Sequence, residues 1–444
     1  MNEQPFYHRS WLLYGLLVAG GVAYYLIGYQ TARDNFLQVI CLFSFLFATY
    51  FLAYKLFSTT HLSHLFAAGI AFRLLLLFSV PNLSDDVYRF IWDGRLAANG
   101  INPFRFLPSE IMQLPKPAGL TQELYEQLNS PDYYTVYPPA LQSVFWLTGK
   151  VFPVSTKGAI TFIKCIIVLF EAGTFLLMMK LLNRLAIPKH LSLLYILNPL
   201  VIIELTGNVH FEGVMVFFLL GSFLLMLQYQ WQGSAICLAL GIATKLLPVL
   251  FIPLIFHRLG WKKGWRYVLL TGLTTLALFA LVFDVKTAQH LLQSINLFIT
   301  RFEFNASLYY LVRWLGTLTT GFNLIAWAGP VLVLLSAWFI CSLSFRSGNK
   351  TERDFFITAL LVITIWFLFS TTVHPWYICL PLALAVFTTF RFVFVWSFTA
   401  TWSYLAYQTY PVQENLWMVA AGYSLVLGYA LRELLMYRKA KAHG

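Results

Sequence analysis

Apolar runs close to the length that a hydrocarbon core demands follow one another along most of this chain. WLLYGLLVAGGVAYYLIGY from Trp11 and FLQVICLFSFLFATYFLAY from Phe36 are the first two, and about 20 apolar residues suffice to cross a bilayer as a helix. A segment immersed in lipid must satisfy its backbone groups internally, which a helix does. Crossings are expected near 11–29, 36–56, 61–80, 158–182, 191–207, 210–230, 267–283, 322–346, 353–371, 374–389, 392–409 and 413–436. The run GSAICLALGIATKLLPVLFIPLIF from Gly233 has Lys245 at its middle and Pro248 just after, which predicts two short helices in a hairpin. The fold class is therefore an all-α polytopic membrane protein, a bundle of about 12 to 14 transmembrane helices.

Only 11% of the residues are charged, against about 25% in soluble domains, and no stretch reads as a separate soluble domain. A net charge of +12 would suit nucleic acid, but the basic residues gather in short loops between apolar runs, so no nucleic-acid partner is expected. With the amino terminus in the cytoplasm, Lys180, Arg184 and Lys189, then Arg258, Lys262, Lys263 and Arg266, then Arg346, Lys350 and Arg353, and finally Arg438, Lys439 and Lys441 all fall inside. Most acidic residues fall on the opposite face. The five cysteines lie within apolar runs without ligand-like spacing, which argues against a disulfide framework or a zinc site.

On the acidic face lies one long polar segment, residues 81–138, rich in Tyr, Trp, Phe and Pro. Loops beyond about 15 residues are usually functional or disordered, and this aromatic content argues for order. The following stretch from Tyr137, YPPALQSVFWLTGKVF, is short for a crossing and is expected to lie at the interface as an amphipathic helix.

The segment opens with SDDVYRFIWDGRLAANGINPF at Ser84. Ser84 before two aspartates is an ordinary helix start, a serine cap with carboxylates at the positive end of the dipole. Continued as a helix, it sets Asp85, Arg89 and Asp93 four residues apart on one stripe facing water or a cleft. A carboxylate there can take a proton from a hydroxyl while a guanidinium holds a phosphate. Both tasks arise when a sugar moves from a lipid phosphate to an alcohol.

With VYPPAL from Val136, NPLVIIELTGNVHFEG from Asn198 and GIATKLLPVLFIPL from Gly241, the segment resembles the GT-C glycosyltransferases. The nearest likeness is to bacterial polyprenyl-phosphate-mannose-dependent mannosyltransferases, with a more distant one to the GPI-anchor mannosyltransferases. The resemblance implies a first external loop bearing the catalytic acid and a second acid at a later external helix start. Asp85 matches the base position, Asp86 its acidic neighbour, Arg89 the basic slot and Glu212 the second acid. Tyr88, Asp93, Arg95 and Asn102 of the first motif and Tyr137 of VYPPAL join them as candidate substrate contacts. Two helices precede the motif-bearing loop beyond the family pattern. Residues 1–56 are thus expected as an N-terminal addition, 57–321 as the catalytic module with external loops 81–157 and 284–321, and 322–444 as C-terminal helices.

Further polar groups punctuate the apolar runs. His210 and Glu212 either cap a helix or contact sugar hydroxyls. Lys245, costly inside an apolar stretch, is expected to meet a lipid phosphate. Arg301, Asn305, Tyr309 and Arg313 recur every four residues, which on a helix makes one polar face. His374 and Trp376 mark an outer boundary where the histidine can reach a phosphate. Lys164 and Glu171, in one crossing, are expected to pair.

The expected reaction is inverting transfer of a hexose, most readily mannose, from a polyprenyl phosphate to a hydroxyl of a lipid or glycan acceptor. Asp85 or Asp86 serves as base, and Arg89, Arg95, Lys245 or His374 answers the charge growing on the phosphate. A nucleotide-sugar donor is disfavoured, since no strand-helix alternation with a glycine-rich phosphate loop is present. No cofactor is expected, although adjacent acids can hold a divalent cation. Membrane lipids are the remaining partner. A sequon at Asn82 would place a glycan beside Asp85, which points to a bacterial inner membrane with the site on its periplasmic face. The competing class is a transporter or flippase of lipid-linked sugars, and another GT-C sugar specificity is the second alternative. Transporters commonly carry matched interrupted helices in two halves, and here only one interrupted run is found.

Overall fold

The computed structural model describes residues 7–114, 118–346 and 351–442, with side chains from Ser10 to Lys439. Lys350 and the side chain of Lys441 lie outside it. Among the described residues the chain is helical, with one isolated parallel bridge between Phe304 and Thr372.

Among the described residues, five helices are long and apolar enough to cross a membrane: Ser10–Tyr29, Phe36–Phe57, Thr156–Arg184, Ile325–Ser344 and Leu416–Lys439. The count rises to seven when two sharply bent pairs are each taken as one span. Several expected crossings are built as shorter helices instead, including Leu62–Leu75, Glu212–Leu227 and Pro375–Ala385. The reason is local. At Asn198-Pro199 the asparagine side chain accepts the Leu200 N–H at 3.0 Å and starts a new helix bent by 51° from the one before. At Lys245 the backbone is extended (φ −147, ψ 141), so the run from Gly233 does break there. The protein is a multi-pass helical membrane protein.

Helices at both ends frame the segment that follows the third apolar helix. We denote Tyr7–Tyr29 α1, Phe36–Phe57 α2, Leu62–Leu75 α3, Asp86–Ala98 α4, Pro139–Val151 α5 and Thr156–Arg184 α6. With 13 residues, α5 is roughly 20 Å long and too short to span. It packs on α4 where two glycines meet: a methyl group on Gly94 would lie 2.2 Å from the Phe145 carbonyl oxygen, and one on Gly149 2.3 Å from that of Gly94. Phe90, Phe145, Phe211 and Tyr137 close the same interface with ring centroids 4.8 to 5.7 Å apart.

The ionic groups inside α3 and α6 pair differently from the sequence expectation. Glu171 meets Arg73 at 2.9 Å, each 2% exposed, and Tyr195 donates to its other oxygen at 3.1 Å. Lys164 donates to Leu76 O, Ser79 O and Ser79 Oγ at 2.7 to 2.8 Å. It satisfies carbonyls left open where α3 ends, while Glu171, seven residues further along α6, has Arg73 as its partner.

Candidate active site

The lysine-capped turn after α3 delivers Ser84, Asp85 and Asp86. The helix begins at Asp86, with Asp85 in the cap position but no side-chain capping bond. Ser84 Oγ accepts the Asp86 N–H at 3.4 Å and lies 3.3 Å from His210 Nε2. The two carboxylates are therefore free for other partners. Asp85 Oδ2 is 2.7 Å from Arg33 Nη2, while Asp86 accepts from Asn129 Nδ2 at 2.8 Å and stands 3.9 Å from His210 Nε2. Tyr88 and Tyr137 sit near them with pKa values raised, first by burial and then by the charges of Asp85 and Asp86 respectively. Their hydroxyls stay protonated and able to donate.

The expected acid-base-acid stripe of α4 does not face a cleft below Asp85. Arg89 and Asp93 point inward, joined at 2.9 Å, and Arg89 also donates to the carbonyls of Ser130 and Tyr133 at 2.9 Å. Gln142 of α5 donates to the other Asp93 oxygen at 3.0 Å. Arg95 is likewise buried, donating to Gly119 O and Val154 O at 2.7 Å. Asn102 is bound to Val282 O at 2.6 Å. Arg89, Asp93, Arg95 and Asn102 hold the segment together, and the donors that the two arginines leave over, Arg89 Nη2 and Arg95 Nε, are buried.

His210 and Glu212 arrive from an unusual piece of chain. Residues Ile202–Gly207 form a π-helical turn, a feature frequent at functional sites. Val209 follows with φ 65, a strained conformation for a β-branched residue. The turn brings the buried carboxylate of Glu204 to Tyr404, which donates a short hydrogen bond, to Asn208 Nδ2 at 3.0 Å and to His210 Nδ1 at 3.3 Å. With Nδ1 facing Glu204, His210 presents Nε2 to Ser84 and Asp86. Glu212, one turn on, takes Lys245 Nζ at 2.5 Å; the lysine is 22% exposed and stands 5.8 Å from the Tyr377 ring. Thus Lys245 has a protein partner where the sequence suggested a lipid phosphate. Glu212 Oε2 is buried with acceptor capacity left over.

A third strand of chain closes the cluster. Trp376 stacks on His210 at 3.8 Å and on His374 at 4.3 Å, and Phe304 covers the other side of His374 at 4.9 Å. The His374 Nδ1 is buried without a hydrogen-bond partner among the described residues. His374 thus joins the cluster through ring contacts and keeps a ring nitrogen open. The fourfold spacing from Arg301 does not form one helical face, because the helix begins only at Leu308 and Asn305 is left-handed at φ 45. Asn305 Nδ2 donates to Val373 O at 3.2 Å. Tyr309 is bound to Glu303 at 2.5 Å and Asn323 at 2.8 Å, away from the aspartates.

Asp85, Asp86, His210, Glu212, Lys245, His374 and Trp376 are thus joined through adjoining contacts, whereas Arg89, Asp93, Arg95, Asn102, Asn305 and Tyr309 serve the frame. Arg33, Glu204 and Tyr377 join the site without having been singled out. Glu204 carried a signal, a carboxylate within an apolar crossing. Arg33 looked like any loop charge. Among the described residues no group of three or more His, Cys, Asp or Glu is disposed to hold a metal.

A polytopic helical membrane protein with paired acids, histidines and a lysine gathered at helix ends is the class these observations define. The sequence profile described as alpha-(1->6)-mannopyranosyltransferase, N-terminal domain, matches residues 12–260, and the chain belongs to that family. Alpha-(1->6)-mannopyranosyltransferase A of Mycobacterium tuberculosis (strain ATCC 25618 / H37Rv) is 24% identical over 351 residues, 70% of this chain and 62% of the relative. The match therefore spans less than two thirds of that relative's length.

Proposed function

We propose that this protein is an inverting glycosyltransferase that moves a mannose from a polyprenyl phosphate to a hydroxyl of a lipid or glycan acceptor, on the periplasmic face of a bacterial inner membrane. Its architecture is read as GT-C-like, with about 12 to 14 crossings once the shorter and broken apolar helices are counted as spans. The observation that carries the reading is the convergence of the Asp85–Asp86 pair on His210, Trp376 and the Glu212–Lys245 pair, within a chain of mannosyltransferase kinship.

In this mechanism the acceptor hydroxyl attacks the anomeric carbon from the side opposite the phosphate. Its proton passes to Asp85, the C1–O bond to phosphate breaks, and the bonding pair leaves with the phosphate. Charge on the ring grows as in other glycosyl transfers. Glu212 Oε2 is suited to receive an acceptor or sugar hydroxyl, since it is a buried acceptor with capacity to spare. The open His374 Nδ1 and the indole of Trp376 offer a hydrogen bond and an apolar wall to the sugar. If the product linkage is α, as the relative's name has it for that enzyme, inversion requires a β-linked donor. Resemblance is the ground for expecting no divalent metal, and transfer that persists in excess chelator checks it.

Purified protein in nanodiscs, given labelled polyprenyl-phosphate mannose and acceptor lipids, tests the proposal through the mass and linkage of the product. Asp85→Asn is expected to lower the rate on the order of a hundredfold or more. Full activity in Asp85→Asn with loss in Asp86→Asn moves the base to Asp86. Lipid-linked sugar that crosses the bilayer with no glycosidic product makes the protein a transporter.

A further inference from the structure

We propose that Arg33, on the connection between α1 and α2, is the cation that receives the donor's phosphate, and that it does so by leaving Asp85, so that donor binding uncovers the base. The inference rests on the transferase reading and extends it to a residue outside every motif.

Three observations lead to it. The arginines nearest the aspartates in sequence are buried: Arg89 and Arg95 are 2% exposed and tied to loop carbonyls, and the donors they leave over, Arg89 Nη2 and Arg95 Nε, are buried as well. Lys245 is held by Glu212. Arg33 pairs with the carboxylate proposed as the base, and both partners remain accessible, at 29% and 37%. A part-exposed pair of this kind is weakly held, whereas a guanidinium meets phosphate with a matching fork of donors.

Second, the connection that carries Arg33 is docked and not loose. Tyr29 donates to Leu75 O at 2.8 Å, Thr31 to Leu26 O at 2.9 Å, and Asn82, three residues before Asp85, to Gly28 O at 3.3 Å. The guanidinium lies 4.5 Å over the Tyr407 ring, which supports its stem while the head turns between two anions.

Third, charge moves during the reaction in the direction that favours the exchange. Before transfer Asp85 is a carboxylate and the donor phosphate is a diester with one negative charge. Afterwards Asp85 holds the acceptor's proton and is neutral, and the leaving phosphate is a monoester with a second ionisable oxygen. The cation that pairs with Asp85 at rest loses its partner as a stronger one forms beside it. Arg33 therefore stabilises the departing phosphate more than the intact donor, which is the condition for lowering a barrier.

The test is equilibrium binding of a radiolabelled long-chain polyprenyl monophosphate to the full-length protein in phosphatidylcholine nanodiscs. Arg33→Gln is expected to weaken binding at least about tenfold, with Arg33→Lys between it and the wild type. Asp85→Asn, which releases the guanidinium, is expected to tighten binding severalfold. A bridge that merely holds the fold predicts the reverse for Asp85→Asn, a loss alongside Arg33→Gln. Wild-type affinity in Arg33→Gln, or weakened binding in Asp85→Asn, overturns the inference. If Arg33→Gln is not recovered folded, Arg33→Lys and Asp85→Asn still decide it. Hexose transfer by the wild type is measured in parallel: its absence defeats the transferase reading, while the binding series judges Arg33 on its own.

Discussion

Asp85 and Asp86 are neighbours in sequence that keep different company. Asp85 faces Arg33 and solvent, and Asp86 faces Asn129 and the His210 ring. His210 in turn is fixed on its far side by Glu204, whose carboxylate is fully buried among Tyr404, Asn208 and the imidazole. Glu204 touches no reacting atom in the proposed mechanism, so it is a positioning residue. Glu204→Gln is expected to lower kcat about tenfold to a hundredfold while the donor KM stays within about twofold, since a misplacement of about 1 Å has effects of that size. Steady-state kinetics on a folded variant check this, and a KM that rises with kcat unchanged defeats it. The two aspartates and Glu212 were legible in the sequence because acids beside apolar runs are costly and stand out. The difference between Arg33 and Arg89 was not, since both are simply arginines near an outer boundary.

At the scale of elements, the placement of Asp86 depends on how closely α4 and α5 approach. Their backbones touch at Gly94 and Gly149, and no side chain fits between them. Gly149→Ala puts a methyl group 2.3 Å from a backbone oxygen that cannot move aside without shifting α4. Overpacking of this type costs about 1–3 kcal/mol, so a lowered thermal midpoint together with reduced transfer is expected. Gly272→Ala, with open space around its added methyl group, is expected to change neither. Fluorescence-detected thermal unfolding of the two variants makes the comparison. The short amphipathic α5 was readable from its length and polar residues. Its partner was not, because glycine pairs permit two helices to approach and never say which two.

For the whole molecule, the packing of α3 on α6 is secured by a buried ionic group. Arg73 and Glu171 are each 2% exposed, and Tyr195 supplies a further hydrogen bond. Removing one partner strands the other charge, at a cost of about 3–5 kcal/mol. Glu171→Ala is therefore expected to abolish or severely reduce recovery of folded protein, whereas Arg184→Ala, at a part-exposed pair with Glu352, is expected to be tolerated. Yield of monodisperse protein after detergent extraction reads both. Topology follows the same scale: a cysteine at exposed Gln127 is expected to react with an impermeant thiol reagent on intact cells and one at exposed Lys262 is not. The opposite pattern removes the periplasmic site.

Hydrophobicity is local and additive along the chain, so the sequence by itself determined that this is a helical membrane protein, roughly where its apolar segments lie, and which acids sit at their ends. Which charges are consumed in holding the fold and which remain for chemistry depends on partners dozens to hundreds of residues away: Arg33 with Asp85, Lys164 with the end of α3, Glu204 with Tyr404. Such pairings leave no period in the sequence, because each is created only when separate helices are brought side by side. Only the tertiary structure decided them.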